Sequence, residues 1–241
     1  MDYRLALMTG VDIPIPECQL TLHQPRIKEI SMMGETEFFT GAQCLCIDKR
    51  AYIQDESLLS QTTNFQIMMT VLDAKENADK KAMVQQLLTI LFPTYKIMFT
   101  PRSLMFNHGD ENIIIDEDNF ESLQAIFQKV FCLSDSGQES FNPGNEAAKK
   151  IADKLMRARQ KVAQEKQKAA GDGSIFTQYL SMLTVGLQSM SLQDLISLTM
   201  YQLYDLVERF MLFTNWDLDI KQRLAGGKPD SSPDNWMKNI H

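Results

Sequence analysis

The stretch "YKIMFTPRSLMFNHGDENIIID", residues 95–116, decides the fold class of this chain. Apolar runs at 95–99 and 102–106 are separated by a Thr-Pro pair, which is the pattern of two strands joined by a turn. A third apolar run, at 112–116, follows the turn sequence "NHGDE". Three short runs joined by such turns predict a small antiparallel sheet.

Helical patterns surround these strands. After the sheet, "DEDNFESLQAIFQKVF" repeats apolar residues at helical spacing and carries acids at its amino end, where the helix dipole favours them. Its first residues resemble an acidic metal-binding loop in composition, but they lack the glycine and the closing glutamate of such a loop. Before the sheet, helices are predicted at 64–73 and 77–92, and another after Pro25, which ends a strand in "CQLTLHQP", residues 18–25.

A run rich in Ser, Gly, Asp and Pro divides the chain. This composition is typical of a linker, which we place at residues 133–144. It would separate an α+β domain at residues 1–132 from a helical domain at residues 145–241 that ends in an extended segment. The predicted fold class is therefore α+β, with a small antiparallel sheet and helices in the N-terminal half and an all-helical C-terminal half.

Two capping-box patterns set the helix starts in the C-terminal half. Ser191 is followed by Asp194, and Thr199 is followed by Gln202. They predict a short helix at 192–198 that turns into a longer helix, which begins at residue 200 and ends at about 213 or 224.

Composition and charge narrow the functional classes. With 44 % hydrophobic and 23 % charged residues the chain is typical of a soluble globular protein, and no run has the roughly 18 apolar residues of a membrane span. The opening "MDYRLALMTG" lacks the apolar core of a signal peptide, so we expect the protein to stay in the cytoplasm. The net charge of −7 disfavours general nucleic-acid binding.

The chain offers no pattern that is typical of catalysis. The histidines at 23, 108 and 241 lie in separate contexts, and the "CLC" pair lacks the two-residue spacer of a zinc or redox motif. The "AGGKP" stretch lacks the length and the Ser or Thr of a phosphate-binding loop. We therefore expect no enzymatic activity, no cofactor and no metal site, and we expect the four cysteines to be reduced thiols.

Three stretches are candidates for binding a partner. The segment 145–168 carries eight Lys or Arg against three acids, and its apolar residues form one narrow seam. It could rest on its own domain or face a partner, and nucleic acid is disfavoured because no aromatic residues interleave with the charges. The seam residues that we select are Ile151, Leu155 and Val162.

The second stretch is "MYQLYDLVERFMLF", residues 200–213, and the third is "PDNWMKNIH", residues 233–241. In the second, one stripe is a normal core face, but further apolar side chains extend around the helix and would suit another subunit or a client protein. The core stripe consists of Leu203, Leu206, Val207, Phe210 and Met211. In the third, the apolar residues could dock on the protein's own helices or on a neighbouring copy. The candidate residues are Tyr201, Tyr204, Leu212, Phe213, Trp236, Met237 and Ile240.

Three motifs together resemble one protein family. They are "QPRIKEISMMGETEFF", "LTMYQLYDLVERFMLFTNWDLDIKQRLAGGK" and the terminal "PDNWMKNIH", and the resemblance covers roughly residues 18–40 and 145–241. The family is the tail assembly chaperones of long-tailed bacteriophages and related prophages. The resemblance implies a non-enzymatic protein of the host bacterial cytoplasm that coats the tape-measure protein, recruits tail-tube subunits and self-associates. A structural subunit of the phage tail or baseplate is the alternative, because the same apolar features would serve it.

Overall fold

The computed structural model describes residues 3–133, 174–226 and 237. All of the predicted linker after Leu133, the basic segment 145–168 and all but one residue of the terminal segment therefore lie outside the described residues. The predicted domain boundary falls in the gap and stays a prediction.

The α+β prediction is confirmed. The first part of the chain forms helix α1, a two-stranded antiparallel sheet and five further helices. The bounds are α1 Tyr3–Thr9, β1 Ile13–Ile15, β2 Leu20–Leu22, α2 Ile27–Met33, α3 Glu35–Leu45, α4 Glu56–Gln61, α5 Asn64–Asp73 and α6 Ala78–Leu91. The second part forms a three-stranded sheet, the helix that follows it and three helices after the gap. Their bounds are β3 Lys96–Phe99, β4 Leu104–His108, β5 Glu111–Ile115, α7 Phe120–Val130, α8 Ile175–Gly186, α9 Leu192–Ile196 and α10 Met200–Leu224.

The three-stranded sheet is antiparallel in the order β3-β4-β5, as the sequence predicts. Its alternating pattern gives it two different faces. On the inner face, Leu104 and Phe106 of β4 are fully buried, and Phe106 lies edge-to-face with Phe92 at 5.0 Å. On the outer face, Met98 and Ile114 are exposed. One side of the sheet therefore contributes to the core and the other faces solvent.

The helix expected after Pro25 is present but consists of two helices. Gly34, between α2 and α3, has φ 100°, a backbone conformation that L side chains rarely adopt. Further along α3, Gly41 lets α6 approach closely, because a Cβ there would lie 3.1 Å from Leu87 Cδ2. The predicted acidic helix start is confirmed at α7, which begins at Phe120.

The helices after the gap complete the core of the N-terminal half. Ile27 N donates to Leu198 O at 2.9 Å, and Arg26 forms an isolated bridge with Thr199. The ring of Phe176 stacks on Phe39 at 5.6 Å. One continuous cluster of buried residues therefore spans both described parts of the chain. None of the helices in the described ranges combines the length and the apolarity that a membrane span requires.

Candidate partner-binding surface

Helix α10 is anchored at its start and buried along its first two turns. Thr199 caps it, because the Thr199 Oγ1 accepts from Gln202 N at 3.3 Å and the Gln202 Oε1 accepts from Thr199 N at 2.8 Å. The side chains of Met200, Leu203 and Val207 then enter the core. The Gln202 amide also donates to Met8 O at 2.8 Å, which fixes α1 against this end of the helix.

The remainder of α10 is different, because no residue after Val207 in this helix is buried. At about 1.5 Å per residue, the seventeen positions from 208 to 224 extend for roughly 25 Å. They nevertheless carry large apolar side chains, of which Met211 is 55 % exposed, Leu218 is 59 % exposed and Leu224 is 83 % exposed. Met211 and Leu218 are seven residues apart and share one face of the helix. We name the two exposed residues on this face, Met211 and Leu218, the α10 apolar surface; Phe213 and Leu224 lie roughly on the opposite side of the helix.

Helix α8 lies beside the start of this surface. Its last residue, Gly186, packs directly on the ring of Phe210, and a Cβ added there would lie 2.3 Å from Phe210 Cζ. Val185, the residue before it, is 81 % exposed. The end of α8 therefore carries an exposed apolar residue of its own, next in sequence to the glycine that contacts Phe210.

The charges along the exposed part of α10 balance. Residues 208–224 contain three acids and three bases, and four of them form pairs one helical turn apart. Asp217 accepts from Lys221 at 2.5 Å and Asp219 accepts from Arg223 at 3.2 Å. Because each acid precedes its base by four residues, these pairs stabilise the helix without help from the core. The surface is thus suited to apolar recognition rather than to attraction by net charge.

Two of the predicted binding residues face the interior of the chain. Tyr201 is buried, and Tyr204 packs edge-to-face on Tyr179 at 5.7 Å and on Phe176 at 6.3 Å. Burial is also the main reason that the pKa of Tyr204 lies above its ordinary value. Tyr204 belongs to the contact between α8 and α10, and Tyr201 lies beside Arg4 of α1, so in this structure the two tyrosines offer little surface to another protein.

The other predicted binding residues differ in exposure, and some of them lie outside the described residues. Leu212 is half-buried and Phe213 is 45 % exposed, while Met237 in the terminal segment is exposed. Whether any of them binds a partner stays a prediction. The remaining predicted residues, Trp236, Ile240, Ile151, Leu155 and Val162, lie outside the described residues.

The sequence pattern assigned Met211 to the core stripe and did not select Leu218 or Leu224. The length of the helix is the feature that would have identified Leu218 and Leu224 as candidates. If α10 continues to Leu224, its last turns lie beyond the short elements that could cover it, and each apolar residue there becomes a candidate contact.

The described residues do not assemble a metal-binding group. No group of three or more His, Cys, Asp or Glu in the described ranges could hold a metal ion. The four cysteines are free thiols, and burial raises the pKa of Cys46 and of Cys132 to about 12. His23 lies between two carboxylates, with Nδ1 3.0 Å from Asp12 Oδ1 and Nε2 3.1 Å from Glu29 Oε2. Glu29 also caps α2 by accepting from Arg26 N, which is a structural role.

A comparison with protein families relates the region that contains this surface to phage proteins. Residues 166–241 match the family described as the YomV second domain. YomV is a protein of a Bacillus prophage, so this region of the chain is similar to a phage-associated domain family. The matched region covers less than a third of the chain and includes the whole of α8, α9 and α10. No curated protein and no solved structure matches the chain significantly.

Proposed function

We propose that this chain is a phage tail assembly chaperone that binds the tape-measure protein and recruits tail-tube subunits in the host cytoplasm. The observation that carries the proposal is the α10 apolar surface, which is exposed, balanced in charge and located in the region related to a phage protein. The role is non-enzymatic and requires neither cofactor nor metal.

The geometry is compatible with binding a helical client. A tape-measure protein is a long helical polymer with apolar stripes, and such a stripe is recognised by apolar side chains at helical spacing. Met211 and Leu218 supply that spacing along one face of α10. Many weak copies of this contact along one client would gain strength if the chaperone self-associates, since linked sites bind with a raised effective concentration.

The direct test is a pull-down of the tagged full-length chain co-expressed with the tape-measure protein of the same phage or prophage. Removing two apolar contacts with Met211→Gln and Leu218→Gln together should lower recovery of the tape-measure protein at least about tenfold. Neither side chain is buried, so the circular dichroism spectrum and the melting temperature should stay unchanged. Unchanged recovery would refute the assignment of this surface.

The matched control is Leu58→Gln in α4. Leu58 is 55 % exposed, close to the value of Leu218, but it lies on a different helix. It should leave recovery of the tape-measure protein at the wild-type level.

A second measurement separates the chaperone from the structural alternative. Mass spectrometry of purified particles should find the protein absent or far below the copy number of the tail-tube subunit. Presence at stoichiometric copy number would identify a virion subunit and exclude the chaperone role.

A further inference from the structure

A second apolar stripe lies on the side of α10 that is opposite to the α10 apolar surface. It consists of Phe213, Trp216 and Ile220, which are spaced by three and four residues and therefore share one face of the helix. The rings of Phe213 and Trp216 lie 5.9 Å apart. We name these three residues the second α10 stripe.

The second α10 stripe lies beyond the part of the helix that packs on the core. Phe210 is the last residue of α10 that packs against the core cluster. Phe213 is 45 % exposed, and Trp216 and Ile220 are half-buried. The core therefore does not explain why these three positions carry large apolar side chains. Apolar side chains on such a face are typical of a surface that another segment of protein covers.

The chain that leaves α10 can return along this side of the helix. Gly226 has φ 85°, the left-handed conformation that commonly ends a helix and redirects the chain. Trp236 is ten positions further on, which allows a reach of up to about 33 Å, whereas the ten helical positions from 216 to 226 rise by only about 15 Å. Pro229 and Pro233 favour extended conformations of the residues before them. Trp236 can therefore reach the second α10 stripe.

Two apolar residues of the returning segment share a face. Trp236 and Ile240 are four positions apart, so they lie on the same side in a helix and also in an extended strand. Met237 lies on a different side in either conformation, and it is 68 % exposed. An apolar pair on one side and an exposed methionine on another indicate a segment that docks by one face.

The family similarity favours this segment over the basic segment as the one that covers the stripe. Residues 166–241 are similar to the YomV second domain, so the match includes α8, α9, α10 and the whole of the segment 233–241. It leaves out all but the last three residues of the basic segment 145–168. Residues that form one domain share a hydrophobic core.

We propose that the segment 233–241 folds back along α10 of its own chain and covers the second α10 stripe. Trp236 and Ile240 face the stripe, and Met237 faces solvent. The docked segment leaves the α10 apolar surface open, because that surface is on the opposite side of the helix. The contact is made within one chain, so it does not depend on the proposed function.

The test measures how fast trypsin cleaves the full-length chain after Lys238, which lies between Trp236 and Ile240. With limiting protease, the first-order rate constant follows the fraction of molecules in which the segment is free. Phe213→Gln with Ile220→Gln removes two apolar contacts and should raise this rate constant at least about tenfold. Trp236→Ala should raise it by a similar factor from the other side of the contact. Because Trp236 follows the last described helix, this variant keeps the test decisive if the α10 variant lowers stability.

Two matched controls change apolar side chains on the other faces. Leu218→Gln alters the opposite side of α10, and Met237→Ala alters the exposed side of the segment. Each should change the cleavage rate less than about twofold. Equal acceleration by Leu218→Gln would place the segment on the α10 apolar surface and overturn the proposal. An unchanged rate in both the stripe variant and Trp236→Ala would also overturn it.

The dependence on protein concentration separates docking within one chain from docking on a neighbouring copy. A contact within one chain gives a rate constant that does not change with protein concentration, whereas docking between copies slows cleavage as the concentration rises. Protection that appears only at high concentration would assign the second α10 stripe to self-association and overturn the proposal as well.

Discussion

Replacement of Gln124 by methionine tests whether a buried polar network holds the N-terminal half together. Gln124, on α7, is 4 % exposed, and its Nε2 donates to the carbonyl oxygens of Leu45 and Ile47, both at 3.0 Å. Its Oε1 accepts from Asn64 Nδ2 at 2.8 Å, and Asn64 Oδ1 accepts from Lys49 N at 2.9 Å. One side chain thereby joins the end of α3, the turn after it and the start of α5.

The expected loss of stability follows from the groups that the substitution leaves without a partner. Leu45 ends α3, so its carbonyl has no partner inside the helix and depends on Gln124. Each buried carbonyl that loses its donor costs about 1–3 kcal/mol, and the better burial of methionine returns part of that sum. We expect a net loss of about 3 kcal/mol in the free energy of unfolding, which lowers the urea midpoint by about 1 M.

The assay is urea unfolding followed by circular dichroism, with Gln128→Met on the same helix as the control. Gln128 is only partly buried, and its side chain makes no hydrogen bond to the residues that the structure describes. A double-mutant cycle with Asn64→Ala should show coupling of about 0.5–3 kcal/mol, because the two amides share one network. A midpoint shift below about 0.3 M, equal to that of the control, would refute the role of the network.

Three other substitutions or conditions probe separate contacts. Gly186→Ala should lower the melting temperature, measured by calorimetry. The added methyl group overpacks against Phe210, which costs about 1–3 kcal/mol, more than the roughly 1 kcal/mol that alanine gains over glycine in a helix. An unchanged or higher melting temperature would contradict this. Thr199→Ala should remove the cap of α10 and cost about 1 kcal/mol in chemical unfolding, with Thr199→Ser restoring most of it. Burial raises the pKa of Cys46 and Cys132 from 9.0 to about 12, so the folded state retains protons that the unfolded state releases above pH 9. Stability should be complete below pH 9 and decline toward pH 12, and alkaline unfolding of a Cys46→Ala, Cys132→Ala variant should lose this part of the pH dependence.

Local patterns were sufficient for the elements whose stability is itself local. The helix predicted at 64–73 is observed at Asn64–Asp73. It could be predicted because the residues of its Thr63 cap and of its apolar stripe are close together in the sequence. The same reasoning holds for the three-stranded sheet, where the turns and the alternation specify the strands. Such elements carry their own start and stop signals.

Elements that depend on distant residues were not predictable in this way. Helix α1 is seven residues long, and Gln24 fixes its end by donating to Ala6 O at 2.9 Å while Gln202 donates to Met8 O. Nothing within residues 3–9 indicates those partners. The same limitation explains why the burial of Tyr201 was missed, because it lies beside Arg4 of α1, which is distant in sequence and which a helical wheel of α10 cannot show.

Within α10, the residues that stabilise the fold are separate from those that remain available for binding. The buried residues end at Val207, and Phe210 is the last residue of this helix that packs against the core that spans both described parts of the chain. An exposed helical segment is stable with polar, helix-forming side chains alone. Here the ion pairs Asp217–Lys221 and Asp219–Arg223 already stabilise it. Large apolar side chains at 211, 218 and 224 therefore have no explanation in stability, and exposure of this kind is typical of a surface that another protein covers. If this reasoning is right, Leu203→Ala should lower stability by about 2–5 kcal/mol, whereas Leu218→Gln should change partner binding with stability unaltered.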